Sequence, residues 1–191
     1  MKKVKEEGIV KFPEKLGFGA FSMSNNIVFN FKGLYYLTFL KMVLGIPVFW
    51  ASLILTIGTV WDAINDPLIG FWCVNHRFKS GERIRPLALW FAVPWALSVV
   101  LLFADFGLPQ LWTIVTAIVI YIVFEALYTF LCIPYNSMAA LASNYDADRR
   151  SINSFRSLGS CLGSGIGAVL VPVIVKNVFG GLKSDIYTAE D

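Results

Sequence analysis

Apolar residues in this chain run in long blocks, broken only by short clusters of glycine, proline and acidic or amide residues. The blocks predict five helices, over Leu16–Leu44, Ile46–Val74, Pro86–Ala104, Leu108–Ala142 and Ile152–Val178. Each is at or beyond the roughly 20 residues that cross a bilayer, and the longer ones imply tilt or extension past its surface. Gly45-Ile46-Pro47, Asp105-Phe106-Gly107-Leu108-Pro109 and Asn144-Tyr145-Asp146-Ala147-Asp148 read as turns. The expected architecture is an all-α, polytopic transmembrane bundle. Residues 1–15 form a cytoplasmic N-terminal segment, 16–179 the bundle, and 180–191 a polar tail.

Composition agrees. Of 191 residues, 57% are hydrophobic and 15% charged, with mean hydropathy +0.65, whereas a soluble domain carries about 25% charged residues. The net charge is only +3, and the basic residues sit at helix ends instead of forming a phosphate-binding patch. They report orientation. Lys2, Lys3, Lys5, Lys11, Lys15, Arg77, Lys79, Arg83, Arg85, Arg149 and Arg150 share one side, against Lys41, Lys176 and Lys183 on the other. By the positive-inside rule the N-terminus is cytoplasmic in a multi-pass cell-membrane protein. Cys73, Cys132 and Cys161 lack metal or disulfide spacing, and His76 is alone of its type. No nucleophile-base pair or metal cluster is visible in the spans, so an enzyme is not expected, nor is a nucleic-acid partner.

Ionisable groups inside a bilayer are costly and mark function. Asp62 and Asp66, four residues apart on the second helix, share a face with Thr59 and Asn65 beside it. Two such carboxylates in a low-dielectric setting take up a proton or hold a cation between them. Pro67 frees the carbonyl of Ala63 at the same depth. The alternative is a pair of acids snorkelling toward Arg77 and Arg83. On the fourth helix Glu125, Thr129, Cys132 and Asn136 form one polar stripe, with Pro134 inside it. This stripe lines a cavity or holds the bundle together by hydrogen bonds. Ser22, Ser24, Asn25, Asn26, Asn30 and Lys32 make the first helix too polar for a lipid-facing surface. Lys32 pairs with Glu125 or the Asp62/Asp66 couple, or snorkels. Arg156 is either a donor fork for a polyhydroxylated or anionic substrate or an interfacial anchor. Gly159, Gly163 and Gly167 repeat every fourth residue, the spacing of close helix packing.

Together these residues resemble the glycoside-pentoside-hexuronide:cation symporters, the melibiose permease family of the major facilitator superfamily. The resemblance runs through Gly17-Phe18-Gly19-Ala20-Phe21, Trp61-Asp62-Ala63-Ile64-Asn65-Asp66-Pro67, Arg83-Ile84-Arg85-Pro86, Tyr128-Thr129 with Ile133-Pro134-Tyr135, and Ser154-Phe155-Arg156-Ser157. The second-helix motif is the specific one. The resemblance implies a site for the coupling ion, Na⁺ (or H⁺, Li⁺), at Asp62, Asn65, Asp66 and Thr129, with no other cofactor, and places Arg156 at the sugar site. It also implies departures. Where melibiose permease holds sugar hydroxyls with acids on the first and fourth helices, this chain has Ser24 and Cys132, and an aromatic platform is replaced by Asn136.

The expected substrate residues are Ser24, Asn25, Lys32, Glu125, Cys132, Asn136 and Arg156. The expected function is the N-terminal part of a cation-coupled sugar or glycoside symporter, whose partners are the substrate, the lipid bilayer and the missing C-terminal helices of the two-half fold. A carrier of a non-sugar substrate such as a lysolipid, or a non-transporting truncated membrane scaffold, are the rival expectations.

Overall fold

The computed structural model of the chain describes residues 10–75, 85–143, 145–170 and 173. Five α-helices follow in order: α1 Phe12–Met42, α2 Val48–Asn75, α3 Arg85–Leu102, α4 Gln110–Leu141 and α5 Asp146–Gly165, the last continuing as a π-helical turn over Ile166–Leu170. The chain belongs to an all-α bundle, as its apolar blocks predict. By length and composition α2 and α4 are apolar enough to cross a bilayer over Val48–Cys73 and Gln110–Ala139, and α3 carries a shorter apolar stretch, Trp90–Leu102. Large apolar side chains point outward, with Phe71 74% and Trp90 75% exposed. In water such a surface would be an aggregation hazard; in lipid it is the solvated face.

Among the described residues the helix starts depart from the expectation by more than two residues at α1 and at α5, which was expected from Ile152. α1 starts at Phe12, inside the segment expected to precede the bundle, with Glu14 in its first turn and the Lys11 backbone N–H donating to the Glu14 carboxylate at 3.2 Å. The expected turn over 144–148 is shorter, because α5 already begins at Asp146. Asp146 and Asp148 lie in its first turn, where carboxylates favour the positive helix end. Asp148 is buried and accepts from the Ser143 hydroxyl at 3.1 Å, while that hydroxyl accepts the Tyr145 N–H at 3.0 Å. Arg149 Nε donates to the Ser143 carbonyl at 2.8 Å, meeting a carbonyl just past the end of α4. The basic loop expected over His76–Arg85 lies outside the described residues up to Ile84, as do residues 180–191 and all but the last few of 1–15.

The structure divides into two compact units, one of residues 1–34 and 150–191, the other of residues 35–149. In the first, α5 lies directly on the backbone of α1. A Cβ at Gly159 would overlap the Gly19 carbonyl, one at Gly163 the Met23 carbonyl, and one at Gly167 would meet the Ile27 carbonyl at 2.8 Å. Only glycine permits this approach. Asn30 Nδ2 also donates to the Ser164 hydroxyl at 3.1 Å, and Phe12 meets Phe155 edge to face.

In the second unit α4 packs against both α2 and α3. The buried face of α2 runs through Ala51, Ile54, Gly58, Asn65, Ile69 and Cys73, at helical spacing. Ile69 and Cys73 meet Phe91, Phe130 and Ile133, with Phe91 and Phe130 stacked at 4.4 Å. Tyr121 of α4 lies across Gly58 and stacks on Tyr36 at 5.2 Å. Gly45 takes φ +63°, which lets the Ile46 N–H reach the Leu40 carbonyl and close α1.

Several polar side chains inside the helices bond to the carbonyl four residues earlier: Asn26 to Ser22, Asn30 to Asn26, Thr56 to Ser52, Thr59 to Leu55, and Ser137 to Ile133. Each bond gives the side chain an acceptor without any other helix.

Candidate functional site

The second-helix motif and the fourth-helix stripe meet where α2 packs on α4. Thr129 is 2% exposed, and its Oγ1 lies 2.9 Å from Asp66 Oδ1 and 3.0 Å from the backbone carbonyl of Glu125. The hydroxyl has one proton and two acceptors. It donates to one while its oxygen stays beside the other. Asn65 is buried, Asp62 half-buried and Asp66 exposed, so the motif runs from the packed face of α2 to its edge. Asp66 and Thr129 thus join the two helices, with Asp62 and Asn65 on the same stretch of α2. Oxygen groups of this kind suit a hard cation. Among the described residues no three His, Cys, Asp or Glu side chains group as a metal site.

Glu125 lies one turn away on α4. It is buried, and the Tyr121 hydroxyl hydrogen-bonds its carboxylate. A buried carboxylate in an apolar medium must be neutralised or held by donors, and Tyr121 is one such donor. Tyr121 extends the stripe by the spacing that joins Glu125 to Thr129, yet the sequence reading begins that stripe at Glu125. The i−4 position was the available signal; its aromatic ring disguised it as core. Further along, Cys132 is half-buried and Asn136 exposed, so the stripe emerges from the packed interior toward one end of α4.

The remaining expected substrate residues lie in the other unit. Ser24 is exposed, Asn25 and Arg156 are half-buried, and Lys32 is buried with its ammonium 5.1 Å from the centre of the Phe29 ring. That distance is a cation–π contact, which keeps a charge tolerable within an apolar surround. Thr59, placed beside the acids by the sequence, is exposed and donates to Leu55 on its own helix. Trp61 opens the motif, and the sequence reading gives it no role of its own. Its indole Nε1 is buried and has no acceptor among the described residues.

Residues 17–189 match the family described as MFS/sugar transport protein. The chain is similar to the uncharacterized symporter YjmB of Bacillus subtilis, with 30% identity over 91% of the chain and 38% of that protein. It is similar to sodium-dependent lysophosphatidylcholine symporter 1 of Xenopus tropicalis, with 31% identity over 75% of the chain and 27% of that protein. A third relative is the isoprimeverose transporter of Lactiplantibacillus pentosus, with 25% identity over 93% of the chain and 37% of that protein. The chain spans at most about two fifths of the length of these relatives. The chain belongs to the MFS/sugar transport protein family, the cation symporters of the major facilitator superfamily that its second-helix motif resembles, and is with them a multi-pass membrane protein.

Proposed function

We propose that this chain forms the N-terminal part of a cation-coupled symporter for a sugar or glycoside, with Asp62, Asn65, Asp66 and Thr129 holding the coupling ion. The observation that carries the reading is the Thr129–Asp66 hydrogen bond, which ties the acidic motif of α2 to the polar stripe of α4. An ion arriving between Asp62 and Asp66 removes their mutual repulsion. It engages both helices at once, so its binding energy depends on how α2 and α4 are placed. Such dependence lets ion occupancy bias one access state over the other. The ion is Na⁺, or H⁺ or Li⁺ in its place. Ser24, Asn25, Lys32, Glu125, Cys132, Asn136 and Arg156 supply the substrate contacts, and C-terminal helices complete the cavity. The cell membrane is the location, with the N-terminus on the cytoplasmic side, as the basic residues favour.

A second reading is a carrier of a single-chain phospholipid on the same scaffold. The similarity to a symporter named for lysophosphatidylcholine favours it, and so does the presence of Ser24 and Cys132 where hydroxyl-binding acids are expected.

The test is uptake by proteoliposomes containing this chain together with the C-terminal part of a related symporter. Asp66→Asn and Thr129→Val should abolish cation-stimulated uptake, while Thr129→Ser, which keeps the hydroxyl, should retain most of it. Unchanged cation dependence in Asp66→Asn and Thr129→Val would remove the assignment. Isoprimeverose and lysophosphatidylcholine as alternative substrates separate the two readings. A non-transporting scaffold would move neither.

A further inference from the structure

The fold leaves two hydrogen-bond donors of α2 without acceptors. The indole Nε1 of Trp61 and the amide Nδ2 of Asn65 are both buried and have no partner among the described residues; Asn65 as a whole is 6% exposed. The two residues are four apart and share a helix face. Buried N–H groups without an acceptor are rare in native proteins, and each calls for an explanation. A third unpartnered donor, the Trp95 indole on α3, is set apart: its ring lies 6.3 Å from Phe124 and 6.4 Å from Tyr128. A single donor among aromatic rings does not make a polar site, since a held water needs two or more polar partners. Trp61 and Asn65 supply two.

The neighbouring charges decide what the pair takes. Two N–H donors repel a cation, so the coupling ion meets Asn65 through its amide oxygen and not through this pair. Asp62 adjoins Trp61 in sequence and lies three residues from Asn65, with Asp66 next to Asn65, and these carboxylates repel an anion. A neutral O–H group suits both: its oxygen accepts from the N–H donors, and its hydrogen can be given to a carboxylate.

We propose that Trp61 Nε1–H and Asn65 Nδ2–H together bind a neutral oxygen acceptor beside the Asp62/Asp66 pair, an ordered water or a hydroxyl of the transported molecule. Trp61 is then a binding residue of the transport site and not only a wall of the core. The inference rests on the transport reading of this stretch of α2. It is tested on a different observable, so the two can fail separately.

The experiment uses the chain with ¹⁵N-labelled tryptophan, assembled with the C-terminal part of a related symporter in lipid nanodiscs. Trp61→Phe identifies the Trp61 indole resonance, and Trp61→Tyr does so if the first variant fails to accumulate. A water cross-peak to this indole in Na⁺ buffer alone supports the proposal with water as the acceptor. A shift of the resonance on adding isoprimeverose with Na⁺ supports it with a substrate hydroxyl. In either case Trp61→Phe weakens Na⁺ or isoprimeverose binding about tenfold, whereas Trp95→Phe leaves both unchanged. An indole that shows neither water contact nor a ligand shift overturns the proposal, as do equal losses in Trp61→Phe and Trp95→Phe. The transport reading fails instead if uptake ignores Asp66→Asn and Thr129→Val.

Discussion

Replacing Gly159 by alanine puts a methyl group where the backbone carbonyl of Gly19 already sits. Neither partner is a flexible side chain, so α1 and α5 must separate by roughly an ångström, and overpacking of this sort costs about 1–3 kcal/mol. The Asn30–Ser164 hydrogen bond crosses the same pair of helices at 3.1 Å. Separation by that distance breaks it, adding about 0.5–1.5 kcal/mol. Against this, alanine is favoured over glycine in a helix interior by about 0.5–1 kcal/mol. Gly165 supplies the reference: it is the last residue of the same helix, and a Cβ there meets nothing within 4 Å. The difference between Gly159→Ala and Gly165→Ala therefore isolates the steric part, about 1.5–4.5 kcal/mol in sum. Reversible unfolding of the chain in mixed micelles, followed by far-UV circular dichroism against denaturing-detergent fraction, measures it. Equal unfolding midpoints for the two variants would refute the close approach of α1 and α5.

Gly58→Ala should be destabilising by about 1–3 kcal/mol in the same assay, because the Tyr121 ring occupies the space a Cβ needs; Gly17→Ala, with open space around it, should not be. Ser143→Ala removes a donor to the buried Asp148 carboxylate and an acceptor for the Tyr145 N–H, and should loosen the α4–α5 corner by about 1–3 kcal/mol, seen as faster hydrogen exchange in the first turn of α5. A cysteine at Asp146, in a chain cleared of Cys73, Cys132 and Cys161, should resist membrane-impermeant thiol reagents in intact cells; rapid labelling would reverse the proposed orientation.

Helix number and order were legible in the sequence because blocks of apolar residues separated by Gly45-Ile46-Pro47 and Gly107-Leu108-Pro109 leave few alternatives. The start of α5 was not, because Asp146 and Asp148 favour a turn and the first turn of a helix alike, and only the contacts of Ser143 and Arg149 decide between them. The pairing of Asp66 with Thr129 depends on two segments about sixty residues apart. Spacing could place each on a face of its own helix, and only the resemblance joined them. Which face of α2 is innermost was half legible. Asp62 and Asp66 draw attention by their charge, yet the packed stripe centres on Asn65, Ile69 and Cys73, and Asp66 is left at the edge where the Thr129 hydroxyl can reach it. The glycine repeat on α5 announced close packing, but its partners, the carbonyls of Gly19, Met23 and Ile27, carry no side-chain signature at all.

The i−4 hydrogen bonds of Asn26, Thr56, Thr59 and Ser137 bear on how the protein is made. An amide or hydroxyl that already has an acceptor on its own backbone costs less to carry into lipid before a neighbouring helix is in place. The bonds from Thr129 to Asp66 and from Asn30 to Ser164 differ, since each joins helices far apart in the chain. Asn30 and Thr129 also have an acceptor within their own helix, so they can wait in lipid, whereas the Asp66 carboxylate gains the Thr129 donor only after α4 has entered.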